Sequence, residues 1–222
     1  MTGSDRPTDT PSRPVLPRLY AILDVDLTGA RGLRPLEILD AWFDAGIRLV
    51  QLRAKSLAFG PFLELADALV ARSRQAGATC VINDRADVAT LSRADGVHVG
   101  QDDLDVSEAR QVVGAAALVG LSTHADAQVR AALVEPVSYI AIGPVFSTSS
   151  KASPDPIVGL DGVRRARAES ASSGLPLVAI GGITIATAPA VIEAGATSVA
   201  IISDLMSADI RGRARAWLRA VN

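Results

Sequence analysis

Along the chain, short runs of Val, Ile, Leu and Ala alternate with longer stretches whose apolar residues return every three or four positions. The short runs fall at 19–23, 49–52, 79–83, 96–99, 118–122, 139–142, 177–180 and 198–202, which predicts eight strands. A strand with one wet face would alternate apolar with polar residues. Several of these runs do not, as expected of parallel strands covered on both faces. Helical spacing at 35–45, 61–76, 125–133, 187–194 and 210–220 supplies crossovers, and Gly, Pro or Asp marks many of the junctions. Eight strand–helix units in about 200 residues predict a closed (β/α)8 TIM barrel, because closure removes both sheet edges and an open doubly wound sheet of this length usually has fewer strands. Residues 1–17 carry Pro7, Pro11, Pro14 and Pro17 among Thr, Ser and Asp. They are expected to form a flexible N-terminal tail that buries almost nothing, leaving 18–222 as one catalytic barrel domain.

Composition narrows the partners. With 222 residues and 49% apolar content the chain can build one sizeable core. Lys and Arg number 22 against 24 Asp and Glu, a formal charge of −2, so there is no bulk positive field to gather nucleic acid, and any anionic ligand must be held by local charges. Cys80, the only cysteine, lies in an apolar run, so no internal disulfide is possible and a reducing cytosol is compatible. No apolar run approaches the roughly 20 residues of a membrane span and the N-terminus lacks a secretory h-region, so a cytoplasmic protein without a membrane partner is expected. Nothing in the composition sets an oligomeric state.

In such a barrel chemistry collects where strands end, and polar residues do cluster there. After the second strand comes Gln51-Leu52-Arg53-Ala54-Lys55, in which Gln51, Arg53 and Lys55 share one side of an extended chain. A planar guanidinium and a compact ammonium suit a diphosphate, whose oxygens point several ways, although a solvated charge pair is the plainer reading. The third strand ends in Asn83-Asp84-Arg85 and the fourth in His98-Val99-Gly100-Gln101-Asp102-Asp103. Asp84 and Asp103 thus arise at adjacent loops and match a magnesium site completed by water and phosphate, while helix capping explains either alone. Ser122 after the fifth strand either donates to a ligand or caps the next helix. His98 and His124 form no catalytic triad or metal-ligand spacing and receive at most a supporting role. After the sixth strand, residues 143–151 offer glycine, hydroxyls and Lys151 to phosphate oxygens, or form a merely flexible loop. Gly181-Gly182 and Ile202-Ser203-Asp204 follow the seventh and eighth strands, where many barrels bind phosphate, although tight turning also accounts for the glycines.

Taken together, these motifs resemble the thiamine-phosphate synthase family over roughly residues 19–205: Gln-x-Arg-x-Lys, Asn-Asp, His-x-Gly-Gln-x-Asp, Ser-x-His and a Thr-x-Thr-Lys loop occur in the family's order. One position departs, Ser150 standing where the family usually has a second Thr. A hydroxyl is kept, but the β-methyl that stiffens χ1 is not. The resemblance implies transfer of a hydroxymethylpyrimidine group from its diphosphate to the ring nitrogen of a thiazole phosphate, with Mg²⁺ as cofactor. It implies that Gln51, Arg53, Lys55, Asn83, Ser122 and Lys151 hold the pyrimidine diphosphate, with Arg53, Lys55, Ser122 and Lys151 catalytic. Asp84 and Asp103 would then bind the metal, and Thr148, Ser150, Gly182, Ile202 and Ser203 the thiazole phosphate. Two rivals share the barrel: a thiazole tautomerase, which needs no diphosphate site, and a non-catalytic phosphate-ligand sensor, which needs no metal carboxylates. Gly100-Gln101-Asp102-Asp103 and Ser150-Lys151 favour the synthase.

Overall fold

The eight apolar runs all form strands: β1 (Leu19–Asp24), β2 (Leu49–Arg53), β3 (Thr79–Asn83), β4 (Gly96–Val99), β5 (Leu118–Thr123), β6 (Tyr139–Ile142), β7 (Leu177–Ile180) and β8 (Ser198–Ile201). All neighbours are parallel and β8 pairs with β1, so the sheet closes on itself as a (β/α)8 barrel. This computed structural model describes residues 14–148 and 155–222. The helices among the described residues are α1 (Val25–Ala30), α2 (Pro35–Ala45), α3 (Phe59–Gln75), α4 (Ala86–Ser92), α5 (Val106–Val113), α6 (Asp126–Ala132), α7 (Gly159–Ser170), α8 (Ala188–Glu193) and α9 (Ile210–Val221), with a 3-10 turn at Ser203–Leu205. The strongly periodic stretches emerge within two residues of their expected bounds, and 35–45 is helix α2 throughout. Other helices had a muted signal because they bury little or bury small residues: α5 buries Val106 and Ala109, and α7 buries Gly162, Val163, Ala166 and Ser170.

Alternation along each strand sorts side chains into two cores. Leu19, Ala21 and Leu23 of β1, Ile140 and Ile142 of β6, and Val199 and Ile201 of β8 face outward and pack with the helices. Tyr20 and Ile22, Tyr139 and Ala141, and Ala200 point inward and fill the barrel. Both faces are apolar, which is why the strands read as continuous hydrophobic runs. Leu16 belongs to the inner cluster, buried with Tyr20, Leu49 and Val178. The segment set aside as a tail therefore contributes one side chain to the barrel floor, while residues 1–13 lie outside the described part.

Two fully buried tryptophans tie the chain's last helix to its first long one across the β8 exit. Trp42 of α2 donates its indole N–H to the Leu205 carbonyl at 3.2 Å, and Trp217 of α9 donates to Asp204 Oδ2 at 2.6 Å. Both bonds fasten the 3-10 turn and so fix the backbone around Ser203. The outer core thereby positions one wall of the site.

Candidate active site

Arg53 is the last residue of β2 and pairs in register with Asp24, the last of β1. Its guanidinium Nη1 donates to Asp24 Oδ2, while Asp24 Oδ1 accepts the Leu27 amide at 2.9 Å and caps α1. One buried carboxylate thus starts a helix and aims a cation. Two residues on, Lys55 pairs through Nζ with Asp84 Oδ2. Asp84 follows the end of β3 with φ at 62°, a left-handed conformation that Asp tolerates better than most residues, and its amide donates to the His98 carbonyl at 2.7 Å. Burial pushes its carboxyl above the ordinary carboxylate value; Lys55 pulls it down, and hydrogen bonding and repulsion from the Asp103 carboxyl push it up again. Asp103 Oδ2 in turn accepts the Gly100 amide at 2.8 Å. Neither aspartate caps a helix, since α4 and α5 start after Arg85 and Asp105 without a side-chain cap. The two carboxylates instead share one corner of the rim.

Ser122 does not cap a helix either, because α6 starts after Ala125 without a side-chain bond. Its Oγ lies 2.9 Å from His98 Nε2, and its backbone carbonyl accepts from Gln101 Nε2 at 2.6 Å. Burial draws the His98 imidazole down to about 4, the nearby Asp103 charge opposing only in part, so the ring is neutral near pH 7. Gln51 lies lower in the barrel, nearly sealed from solvent, and donates Nε2 to Tyr20 Oη at 2.9 Å. His124 contacts the Gly143 carbonyl through Nδ1 at 2.6 Å, with Asp155 Oδ2 3.5 Å away.

Across the rim the means are different. Gly181 and Gly182 both have positive φ, 98° and 63°, and a Cβ on Gly182 would overlap the Ser147 carbonyl oxygen. The loop after β6 packs onto this glycine pair, with Val145 N bonded to the Ile180 carbonyl and Phe146 N to the Gly181 carbonyl, each at 2.9 Å. Arg31 Nη1 clamps the next wall by donating to the carbonyls of Ser203 at 2.9 Å and Met206 at 2.8 Å. Asp204 is held by Arg213 at 2.7 and 3.0 Å.

These residues line two neighbouring cavities, with part of their walls in common, at the C-terminal end of the barrel. The first, about 200 Å³, reaches from Gln51, Arg53 and Asn83 past Ser122 to Thr148, Gly182, Ile202 and Ser203, over apolar walls that include Ile22, Val178 and Ile180. The second, about 420 Å³, lies over Arg53, Lys55, Asn83, Asp84, Asp103 and Ser122. Arg53, Asn83, His98, Ser122, His124 and Asp155 line both. Every expected site residue within the described part therefore borders one cavity or both; Ser150 and Lys151 lie outside the described residues. Sequence reasoning missed Asp24, Tyr20, Tyr139 and Asp155. Asp24 carried a usable signal, a carboxylate directly after a predicted strand, whereas the tyrosines were indistinguishable from core aromatics.

Comparison with known proteins bears on the chemistry. A family model described as thiamine monophosphate synthase matches residues 19–205. The chain is 45% identical to the thiamine-phosphate synthase of Koribacter versatilis over 209 residues, covering 93% of this chain and 97% of the relative. It is 38% identical to the one from Chloroflexus aurantiacus, covering 92% of each. Among solved structures it is similar to the thiamine phosphate pyrophosphorylase of Pyrococcus furiosus, with a TM-score of 0.81 at 27% identity over 92% of this chain and 95% of the other. Orotidine 5'-phosphate decarboxylase from Pyrococcus horikoshii, at 14% identity and a TM-score of 0.65 over 91% of this chain and 98% of that one, shares the fold alone.

Proposed function

The chain belongs to the thiamine monophosphate synthase family and is a transferase of that kind, and we propose how its two cavities divide the reaction. The activity couples 4-amino-2-methyl-5-hydroxymethylpyrimidine diphosphate to 4-methyl-5-(2-hydroxyethyl)thiazole phosphate, giving thiamine phosphate and pyrophosphate. The observation that carries the division is the join: Arg53, Asn83 and Ser122 border both the charged cavity and the one that runs to Gly182 and Ser203. A diphosphate in the charged cavity sets its reacting carbon at that join, facing a thiazole held by its phosphate at the far end.

Asp84 and Asp103 fit a magnesium ion. They are two carboxylates near enough to interact, and among the described residues no cluster of three or more His, Cys, Asp or Glu side chains offers a complete metal site. An ion that takes one or two carboxylates and fills its remaining positions with water and phosphate oxygens matches that donor set. Bound Mg²⁺ supplies charge neutralisation for the departing diphosphate. Arg53 and Lys55, joined by Lys151 on the strength of the motif alone, would add positive charge where negative charge grows. Ser122 and Asn83 orient the diphosphate substrate, with Gln51 beneath it. The exocyclic amino group of the pyrimidine donates electrons as the C–O bond breaks, and the thiazole nitrogen then gives its lone pair to the exposed carbon. Ile22, Val178, Ile180 and Ile202 keep water from competing for it. Thr148, Ser150, Gly182, Ile202 and Ser203 anchor the thiazole phosphate.

Both substrates are anionic and cross a bilayer poorly unaided, which supports a cytoplasmic setting; no described helix is long and apolar enough to cross a membrane. The test is incubation of purified protein with both substrates, with and without Mg²⁺. Pyrophosphate and thiamine phosphate in equal amounts, only with metal, are expected. Isomerisation of the thiazole phosphate without coupling would overturn this reading in favour of the tautomerase.

A further inference from the structure

Beneath the site a hydrogen-bonded chain crosses the barrel interior. Gln51 Nε2 donates to Tyr20 Oη at 2.9 Å, and Tyr20 Oη lies 3.0 Å from Tyr139 Oη. Tyr139 Oη is 3.0 Å from His98 Nδ1, and His98 Nε2 is 2.9 Å from Ser122 Oγ. Each phenol carries one hydrogen and a neutral imidazole one N–H, so the direction at one end sets it at every link. Tyr20, having accepted from Gln51, gives its hydrogen to Tyr139. Tyr139 gives its own to His98 Nδ1. His98 must then carry its proton on Nε2 and donate to Ser122, whose hydroxyl hydrogen is left to turn toward the cavity. An imidazolium would donate from both nitrogens and break the order, whereas each ring nitrogen here faces one hydroxyl, Tyr139 Oη on one side and Ser122 Oγ on the other.

We propose that Tyr139, and behind it Tyr20, are positioning residues whose hydroxyl chain sets the His98 tautomer and thereby aims the Ser122 hydroxyl as a donor at an anionic oxygen of the diphosphate. The proposal rests on the placement of the diphosphate given above. Packing alone does not account for the hydroxyls: both tyrosines are 1% exposed, and Phe would fill the same space without polar groups to satisfy. The barrel also makes room for the chain. Gly120 lies within β5, and a Cβ there would overlap Tyr139 Cζ and crowd His98 Nδ1, whose ring stacks on Tyr139 at 5.5 Å between centroids and 23° between planes. A side chain at Gly120 would displace the link on which the tautomer depends.

Because the chain has two histidines, ¹⁵N-histidine spectra of the ligand-free protein resolve the matter, with His124→Asn for assignment. The expected result is the Nε2–H tautomer for His98, lost or mixed in Tyr139→Phe. In that variant the affinity for magnesium pyrophosphate, measured by calorimetry, falls about fivefold to tenfold, one hydrogen bond's worth. Tyr20→Phe removes the link that turns the Tyr139 hydroxyl toward His98; the expected result is a partly mixed tautomer and a smaller loss of affinity, about twofold to threefold. An Nδ1–H tautomer in the wild-type protein overturns the proposal, and so does a Tyr139→Phe variant with unchanged tautomer and affinity. Should Tyr139→Phe not fold, the wild-type tautomer decides. Absence of coupling in the wild-type protein would instead overturn the synthase division of the cavities, since the tautomer is read without substrate.

Discussion

The two sides of the barrel rim, to which the proposed function assigns the two anionic groups, are built by different means. Around β2, β3 and β4 the groups are charged side chains already engaged with one another: Arg53 with Asp24, Lys55 with Asp84, and Asp84 with Asp103. Around β7 and β8 they are glycines and a hydroxyl on backbone pinned from outside, by Arg31 on the Ser203 carbonyl and by Arg213 and Trp217 on Asp204. On the proposed division the charged side would exchange its internal pairs for metal and diphosphate, which suits a leaving group that must be neutralised as it departs. The glycine side is held by the protein's own bonds without any ligand, which on the same division suits a phosphate that serves only as a handle. Lys55 is half exposed, so its pair with Asp84 adds at most about 1 kcal/mol to the fold and is cheap to give up on binding.

Substitutions separate the two sides. Asp103→Asn should produce the largest loss, on the order of a thousandfold in magnesium-dependent pyrophosphate release, since a metal that stabilises developing charge contributes several kcal/mol. A variant that still titrates magnesium normally would remove Asp103 from the site. Acid should act on the charged side through His98. The unfolded imidazole takes a proton near its ordinary 6.5 while the folded one resists until about 4, so stability is full above 6.5 and is lost as pH falls through that window. Across the window the loss amounts to about 3 kcal/mol, and His98→Asn should flatten it in melting curves taken from pH 7 to 4.

On the glycine side, Gly182→Ala forces a Cβ toward the Ser147 carbonyl at a φ of 63°. It should cost about a hundredfold in kcat/KM for the thiazole phosphate, the effect of misplacing a binding wall by an ångström, while KM for the pyrimidine diphosphate changes little. Asp24→Asn should have the smallest effect. It loosens Arg53 and weakens the α1 cap, raising KM for the diphosphate substrate about tenfold and lowering stability by about 1 kcal/mol. Equal shifts in both KM values would mean that Arg53 holds the thiazole phosphate as much as the diphosphate.

The same contrast explains what the sequence disclosed. The charged side is written in side chains at fixed spacing, Gln51, Arg53 and Lys55 and then Asn83 and Asp84, so strand ends could be read directly. The glycine side depends on backbone torsions, so in the sequence Gly181-Gly182 reads alike as a tight turn or as a phosphate wall; both glycines have positive φ and pack against the loop after β6. Strand positions were legible because parallel strands buried on both faces form unbroken apolar runs. That same property hid which face is which, so Tyr20 and Tyr139 inside the barrel looked no different from Leu19 and Ile140 outside it. The helices α5 and α7 were faint because they pack through small side chains, and Leu16 was assigned to the tail because nothing local marks a lone leucine as the plug of a barrel floor.

Calorimetry with magnesium pyrophosphate and, separately, thiazole phosphate, on the wild-type protein and on Asp103→Asn and Gly182→Ala, tests the division of labour most directly. The division predicts that Asp103→Asn loses the first ligand and keeps the second, and that Gly182→Ala does the reverse. Loss of both ligands in either folded variant, or pyrophosphate binding undiminished in Asp103→Asn, would contradict it.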